Sequence, residues 1–284
     1  MTAETASLAS RLAGVPPEPG AGKPDPILIA AGVTKTFGGL RAVEVSRLEV
    51  QRGAITALIG PNGAGKTTLF NLLTGFDRAD SGSWSFEGRS LAGLPAYRVA
   101  RAGMVRTFQL TKSLTLLTVL ENLKLGSRPQ PGERFFTALV HPLWRAREES
   151  IERLADEMLA RFRLEQMRDE FAGTLSGGQR KLLELARALM VRPTMIMLDE
   201  PTAGVNPALT QSLLGHIQQL RDEGMTILFV EHDMDVVMGI SDWVVCMAEG
   251  RVIAEGPPAS IGSNHAVIDA YLGAHHGRRA GREG

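Results

Sequence analysis

The residues with the clearest chemical signature are those of segment 60–68, which reads GPNGAGKTT. Two glycines five residues apart are followed by Lys and Thr, the pattern of a phosphate-binding loop. Phosphate oxygens need several converging backbone N–H donors, which only a loop with little side-chain bulk supplies. The pattern predicts that Lys66 contacts the β- and γ-phosphates of a nucleotide, that Thr67 ligates Mg²⁺ and that Thr68 adds a hydroxyl donor. The alternative is a glycine-rich turn in which Lys66 is only solvated.

The segments on either side of this loop favour the first interpretation. The apolar run 54–59 predicts a buried strand, and residues 66–73 predict a helix. The N-terminus of that helix would face the loop, where its positive dipole end attracts an anion.

Two further apolar runs, at 194–198 and 226–230, each end in polar residues. A helical pattern lies between them, so the three elements predict a right-handed crossover in a parallel sheet. Ligands bind such sheets at the carboxyl ends of the strands, where Asp199, Glu200 and His232 all fall. We therefore expect these three residues near the phosphate loop. Read alone, they could instead cap helices.

Short β-like runs in segment 26–53 flank the turn Gly38-Gly39 and predict an antiparallel hairpin. Phe37 lies at this turn, where it could either cap the core or offer a flat apolar face to a nucleotide base. Residues 83–88 alternate between polar and aromatic types, which predicts a half-buried strand with Trp84 and Phe86 in the core.

Helical periodicity dominates residues 91–173 and indicates a subdomain inserted into the α/β core. Its clearest helix covers about 143–164, with one apolar stripe of Ile151, Leu154, Met158 and Phe162. The preceding segment 126–141 contains Phe135 and Phe136, which could form a partner surface or a tucked-in loop.

The C-terminal third closes with a hairpin, formed by 244–247 and 251–254, and a short helix at 266–272. Cys246, the only cysteine, is expected to be buried. Residues 1–25 are poor in apolar periodicity and are expected to form a disordered tail. The Gly-rich tail 274–284 is expected to be flexible, with His275 and His276 solvated.

The 31 Lys and Arg residues balance the 31 Asp and Glu residues. The chain therefore lacks the basic field typical of proteins that hold nucleic acid mainly through phosphates, and no nucleic-acid partner is expected. There is no apolar run of about 18 residues and no signal-peptide core, so we expect neither a membrane span nor export, and a cytosolic location.

Five motifs follow one another along the chain: the phosphate loop, Thr107-Phe108-Gln109, the LSGGQ segment at 175–179, Asp199-Glu200 and Glu231-His232-Asp233. Together they resemble the nucleotide-binding subunit of an ABC transporter. The resemblance implies an α/β fold with a phosphate-loop NTPase core, whose mainly parallel sheet has helices on both sides. It also implies an N-terminal antiparallel β subdomain and an inserted helical subdomain. We expect the core and β subdomain at 26–90 and 176–273, and the helical subdomain at 91–175.

From its sequence, Ser176 followed by Gln179 is a capping box for the helix that carries Leu182 and Leu185. A helix N-terminus with two glycines also exposes N–H groups that suit an anion. The resemblance implies that this anion is the γ-phosphate held by a second cassette subunit. Two chains would then face head to tail around two ATP molecules.

The resemblance also implies individual roles. Asp199 would hold Mg²⁺ through its hydration shell, with Thr67 as a direct ligand and Gln109 completing the shell. Glu200 would polarise the attacking water, His232 would contact the γ-phosphate and Phe37 would stack on adenine. Lys66, Glu200 and His232 are the expected catalytic residues. The residues expected at the nucleotide are Phe37, Gly60, Pro61, Asn62, Gly63, Ala64, Gly65, Lys66, Thr67, Thr68, Gln109, Ser176, Gly177, Gly178, Gln179, Asp199, Glu200 and His232.

Asn206 stands where most ABC cassettes carry Asp, and it retains an acceptor while losing the charge. Asn at this place resembles the branch that imports branched-chain amino acids, as do the segments FGGL at 37–40, RTFQ at 106–109 and IDAYLG at 268–273. The resemblance implies an ATPase at the cytoplasmic face of the membrane. Its partners would be permease subunits, a second cassette (itself or a paralogue) and, indirectly, a periplasmic-type binding protein. Alternatives are a cassette for urea, lipid or polysaccharide, a soluble ABC ATPase acting on ribosomes or DNA, and a regulator that never turns over.

Overall fold

The computed structural model describes residues 11–107, 114–127 and 141–280, and of 141–146 and 273–280 the backbone only. The described chain divides into two compact units. The first, here called the core unit, comprises the residues up to 105, 194–201 and those from 217 onward. The second, the helical unit, comprises 106–193 and 202–216.

Ten strands and nine helices are described in this part of the chain. The strands are β1 Pro26–Phe37, β2 Leu40–Gln51, β3 Ile55–Ile59, β4 Ser81–Phe86, β5 Arg89–Ser90, β6 Met104–Arg106, β7 Met195–Asp199, β8 Thr226–Val230, β9 Trp243–Ala248 and β10 Arg251–Gly256. The helices are α1 Lys66–Leu73, α2 Ala96–Arg101, α3 Val119–Leu125, α4 His141–Phe162, α5 Gly177–Leu189, α6 Pro207–Asp222, α7 Met234–Ile240, α8 Pro258–Gly262 and α9 His265–Ala280.

One sheet of the core unit has four antiparallel strands in the order β2-β1-β4-β5. The predicted hairpin is its long β1–β2 pair, which Phe37 and Leu40 close at the turn. Trp84 and Phe86 of β4 are buried, as the alternating pattern predicts.

The other sheet has six strands in the order β10-β9-β3-β8-β7-β6. Strand β3 pairs in parallel with β8 and β9, and β7 pairs in parallel with β8. Every residue of β3 and β8 is buried, which explains why both appear as continuous apolar runs. Strand β10 pairs antiparallel with β9 as the predicted closing hairpin. The expected fold class is confirmed.

The helical unit contains α3, α4, α5 and the first part of α6. In α4 the buried positions are Ile151, Ala155, Leu159 and Phe162. Leu154 and Met158, which the predicted stripe included, are only half-buried, so the prediction was wrong for these two. Both sets have helical spacing, and the small Ala155 allows close packing that a count of large apolar residues misses.

The expectation of a disordered tail was wrong for residues 11–25. Leu12, Val15 and Lys23 are buried against the rest of the core unit. The segment is rich in Gly and Pro, but its few apolar side chains and Lys23 contact residues of the sheets. Helix α9 continues to Ala280, and the expected flexibility of 274–284 stays a prediction.

Several expectations fall on residues outside the described part of the chain. These are the expectations for Phe108, Gln109, Phe135 and Phe136, for residues 1–10 and for residues 281–284. Helix α5 and residues 202–216 group with the helical unit, whereas the expected domain bounds assign them to the core. As domain bounds, the expected ones stay a prediction. Among the described residues no helix is both long and apolar enough to cross a bilayer.

Candidate nucleotide site

The phosphate loop joins β3 to α1, and its three glycines have positive φ angles: Gly60 144°, Gly63 83° and Gly65 95°. A Cβ at Gly60 would collide with the carbonyl oxygen of Met247, and one at Gly65 with that of Ala42. The spacing of these two glycines therefore follows from close backbone approaches as well as from backbone conformation.

Lys66 is folded back over the loop that precedes it. Its Nζ donates to the carbonyl oxygens of Gly60 at 2.6 Å and Pro61 at 3.0 Å. Burial lowers the pKa of Lys66, while Glu200, Cys246 and Asp199 act in the opposite direction. The ammonium is thus held where desolvation disfavours its charge, and an arriving phosphate would stabilise that charge.

The loop opens into a cavity of about 520 Å³, a volume within the range of small-ligand sites. The lining residues are Leu40, Arg41, Ala42, Asn62, Gly63, Ala64, Gly65, Lys66, Thr67, Thr68, Glu200, Val230 and Glu249. The cavity brings most of the phosphate loop together with Glu200, although these residues are far apart in the sequence. Thr67 is exposed, so its hydroxyl is accessible to a ligand.

Asp199 and Glu200 lie at the carboxyl end of β7, where the strand pattern places them. Glu200 has a φ of 47°. This left-handed conformation is unfavourable in free energy for any residue other than glycine. Its N–H donates to the carbonyl oxygen of Val230 at 3.0 Å, which ties it to the end of β8.

His232 follows β8 and is exposed, with its Nδ1 3.8 Å from Glu200 Oε1 and 3.7 Å from Glu231 Oε2. The buried Glu231 carboxylate accepts the His232 backbone N–H at 3.1 Å. Glu200 therefore lies at the cavity with His232 within 4 Å of it, and Asp199 directly precedes Glu200 at the end of β7.

Phe37 is 48% exposed, so it does not cap the core. It pairs across the β1–β2 turn with Leu40, which lines the cavity. The Lys35 ammonium lies 5.0 Å from the centre of its ring. Phe37 is thus exposed next to a residue that lines the cavity, and its stacking on a base stays a prediction.

In the helical unit, Ser176 and Gln179 form the predicted capping box at the start of α5. Ser176 Oγ accepts the Gln179 N–H at 3.3 Å, and the Ser176 N–H donates to Gln179 Oε1 at 2.9 Å. A Cβ at Gly178 would collide with Leu209, whereas Gly177 is exposed. Gly178 is thus needed for packing, and Ser176 and Gly177 remain open to solvent.

Asn206 has a local structural role that its sequence position does not reveal. Its Oδ1 accepts the Leu209 N–H at 2.9 Å, so it caps α6. An aspartate could accept the same bond, so the cap does not by itself require the neutral side chain.

Two hydrogen bonds that hold the phosphate loop in place were not predicted from the sequence. The Gly250 N–H, in the β9–β10 turn, donates to the Ala64 carbonyl oxygen at 3.1 Å. The Gly60 N–H donates to the hydroxyl of Tyr271, on α9, at 2.9 Å. No local pattern indicates either contact, because each joins segments that are far apart along the chain.

The ABC transporter family model matches residues 43–203 of this chain. A second model, described as branched-chain amino acid ATP-binding cassette transporter, matches residues 251–277. Tyr271 lies within the second matched segment.

Among similar proteins, a probable branched-chain amino acid transport ATP-binding protein LivG from Archaeoglobus fulgidus is 43% identical over 248 residues, covering 87% of this chain and 96% of that protein. The high-affinity branched-chain amino acid transport ATP-binding protein BraF from Pseudomonas aeruginosa is 42% identical, covering 87% and 98%. A crystal structure of the ADP conformation of an ATP-binding cassette from an ABC transporter is 38% identical with a TM-score of 0.77, covering 87% and 99%.

These matches extend over most of the chain. The phosphate loop, Asp199, Glu200 and the Ser176 capping box all lie within residues 43–203, which the ABC transporter model matches. The chain belongs to the ABC transporter family as an ATP-binding cassette, similar to the cassettes of its branched-chain amino acid branch.

Proposed function

We propose that this cassette hydrolyses ATP through the residues gathered around its phosphate loop and so drives a permease that imports branched-chain or other hydrophobic amino acids. The observation that carries the proposal is the cavity that the loop shares with Glu200, beside which His232 lies. Cassettes of this family use ATP hydrolysis to power transport, and the chain has the acid, the histidine and the lysine in one place.

The nucleotide would bind with its phosphates on the loop N–H groups and Lys66. The exposed ring of Phe37 would stack on adenine. Thr67 suits Mg²⁺ as a direct ligand and Asp199 as an acceptor for its bound waters, since this ion usually keeps several waters beside phosphate. Bound there, Mg²⁺ would neutralise phosphate charge. Gln109 would complete its shell, and it lies outside the described residues.

Hydrolysis needs a group that orients and polarises a water toward the γ-phosphate. Glu200 suits this role because its carboxylate lines the cavity, and its left-handed backbone is a cost typically retained at functional sites. His232, within 4 Å of Glu200 and exposed, would donate a hydrogen bond to the γ-phosphate.

A second cassette, a copy of this chain or a paralogue, would complete the site. The exposed Ser176 and Gly177 begin a helix of 13 residues whose N-terminal dipole end favours an anion. We expect this segment, together with Gly178 and Gln179, to contact the γ-phosphate bound by the partner subunit. The pair would work at the cytoplasmic face of the membrane.

The proposed cargo rests on the relatives, which are named as branched-chain amino acid transport proteins, and on the model that matches 251–277. A periplasmic-type binding protein would deliver the amino acid to the permease. Cassettes for urea, lipid or polysaccharide are the alternative.

The test is ATP turnover and transport by the chain assembled with its permease in lipid vesicles. We expect Glu200→Gln to lower kcat by about 100-fold or more, the range typical of a lost general base, while nucleotide binding is retained. Glu87→Gln is the matched control, since it makes the same chemical change at an exposed residue with the same left-handed backbone that does not line the cavity. Its kcat should stay within about twofold of the original.

Absence of ATP hydrolysis by the unmodified complex would contradict the proposal. Uptake of labelled leucine that depends on ATP would support the cargo. Hydrolysis coupled to urea, lipid or polysaccharide, without leucine uptake, would instead favour the alternative cassettes.

A further inference from the structure

Gly60, the first residue of the phosphate loop, is held from three directions. Its backbone lies against the Met247 carbonyl at the end of β9, so that no side chain fits there. Its own carbonyl oxygen accepts Lys66 Nζ at 2.6 Å. Its N–H donates to Tyr271 Oη at 2.9 Å. The position of this one peptide therefore depends on the C-terminal helix as well as on the sheet.

The sheet itself does not satisfy the Gly60 N–H. The ladder between β3 and β9 ends at the pair Ile59 and Cys246, one residue before the loop. Tyr271 supplies the acceptor that the ladder no longer provides. Without it, this donor of the buried Gly60 would have no partner among the described residues, which is costly.

Helix α9 is built to present Tyr271 inward. Asn264 caps its start by accepting the Ala266 N–H at 2.9 Å. Val267, one turn before Tyr271, is 4% exposed, while Ile268 and Asp269 face solvent. Positions four apart share a helix face, so the buried Val267 anchors the face that carries Tyr271.

The hydroxyl of Tyr271 stays neutral under ordinary conditions, because burial raises the pKa of this group. A neutral phenol can accept the Gly60 N–H throughout the working range of pH. The contact is therefore a constant restraint and does not act as a pH switch.

We propose that Tyr271 is a positioning residue for nucleotide binding, through which the C-terminal helix fixes the first peptide of the phosphate loop. The role rests on the proposed function of the loop itself. Lys66 also restrains Gly60 in the structure, but a bound phosphate would compete for at least one of its three N–H donors. The Tyr271 contact uses one N–H group of the loop, that of Gly60, and none of the three donors of Lys66. It would thus matter most when nucleotide is bound.

The test is Tyr271→Phe, which removes the hydroxyl and keeps the ring, in the full chain. We expect the Kd for Mg-ADP, measured by calorimetry, to rise about two- to tenfold, the range of one net hydrogen bond. In the permease complex, KM for ATP should rise by a similar factor with kcat within about twofold. The melting temperature should fall with and without nucleotide, because the Gly60 N–H loses its acceptor in both states, and the fall should be larger with ADP.

Asp269→Asn is the matched control, because Asp269 is exposed on the same helix two residues away. Its Kd should equal that of the original chain. A Tyr271→Phe Kd within about 1.5-fold of the original would overturn the inference. So would an equal fall in melting temperature with and without ADP, which would indicate a structural role alone. If the original chain fails to bind ADP, the proposed function falls and this inference falls with it.

Discussion

The glycines of the phosphate loop have two different physical reasons for being glycine. Gly60 and Gly63 both have positive φ angles, which L side chains rarely adopt. At Gly60 a Cβ would also collide with the Met247 carbonyl oxygen, whereas nothing lies within 4 Å of a Cβ at Gly63. At Gly63 only the backbone conformation disfavours a side chain, whereas at Gly60 the collision with Met247 disfavours it as well.

We expect Gly60→Ala to lower the free energy of unfolding by about 2–3 kcal/mol, because the strained φ and the collision both have to be relieved. Gly63→Ala should cost about 1 kcal/mol, the conformational contribution alone. Urea denaturation without nucleotide measures both. Equal losses in the two variants would show that the collision with Met247 is relieved without cost.

At the scale of elements, the N-terminal segment before β1 is held by one buried ion pair. Lys23 is 7% exposed, its Nζ lies 3.3 Å from Glu255 Oε1, and it sits 4.3 Å from the centre of the Trp243 ring. Glu255 also accepts the Ala21 N–H at 2.6 Å. Burial lowers the pKa of Lys23 and raises that of Glu255, so each charge depends on the other.

Lys23→Met should destabilise the chain by about 3 kcal/mol at neutral pH, because it leaves the Glu255 carboxylate buried without its cation. Burial already raises the pKa of Glu255, and loss of Lys23 raises it further. A carboxyl whose pKa is raised on folding stabilises the folded state at pH values below its unfolded pKa. This stabilisation is lost as the pH rises through the folded pKa. The deficit should therefore be larger at pH 8 than at pH 5, as measured by urea denaturation at both values.

The double variant Lys23→Met with Glu255→Gln is the control, since it removes both charges and retains an acceptor for the Ala21 N–H. It should recover most of the loss and should not depend on pH in this range. A double variant as unstable as the single one would contradict the ion-pair explanation.

Elements whose signal is local could be predicted from the sequence. Strands β3 and β8 appear as continuous apolar runs because both faces are buried, and the Ser176 box is a pattern within four residues. Lys66 and Glu200 could be placed together because strand ends in a parallel sheet meet at one edge.

Contacts between distant segments could not be predicted in this way. The ordered N-terminal segment depends on Glu255, and the Gly60 N–H depends on Tyr271, each of them far along the chain. The amino acid composition of 11–25 gave no sign of burial because its stabilising partners lie elsewhere. The buried face of α4 was predicted incorrectly for a related reason. The helices packed against α4 decide whether Ala155 and Leu159 or Leu154 and Met158 are buried.

At the scale of the whole molecule, the proposed nucleotide residues fall into two groups. Lys66, Glu200 and His232 belong to the core unit, while Ser176 to Gln179 belong to the helical unit. The formal net charge of the chain is zero, so overall repulsion does not oppose the association of two copies. If the site is shared between copies, each ATP uses the core unit of one chain and the helical unit of the other.

This arrangement predicts that two inactive variants can restore each other. Lys66→Ala should lose nucleotide binding, whereas Ser176→Arg should bind nucleotide and fail to hydrolyse it, because a bulky cation replaces the capping serine at the helix start. In a mixed pair, one site would combine the intact loop of the Ser176→Arg chain with the intact helix start of the Lys66→Ala chain. Random pairing would make about half of the dimers mixed, each with one intact site of two, so the mixture should regain up to about a quarter of the original ATPase activity. If each chain instead contained a complete site, the mixture would be no more active than the two variants measured apart. Equal loss of ADP binding in both variants would also contradict the proposed division between the core-unit residues and Ser176 to Gln179.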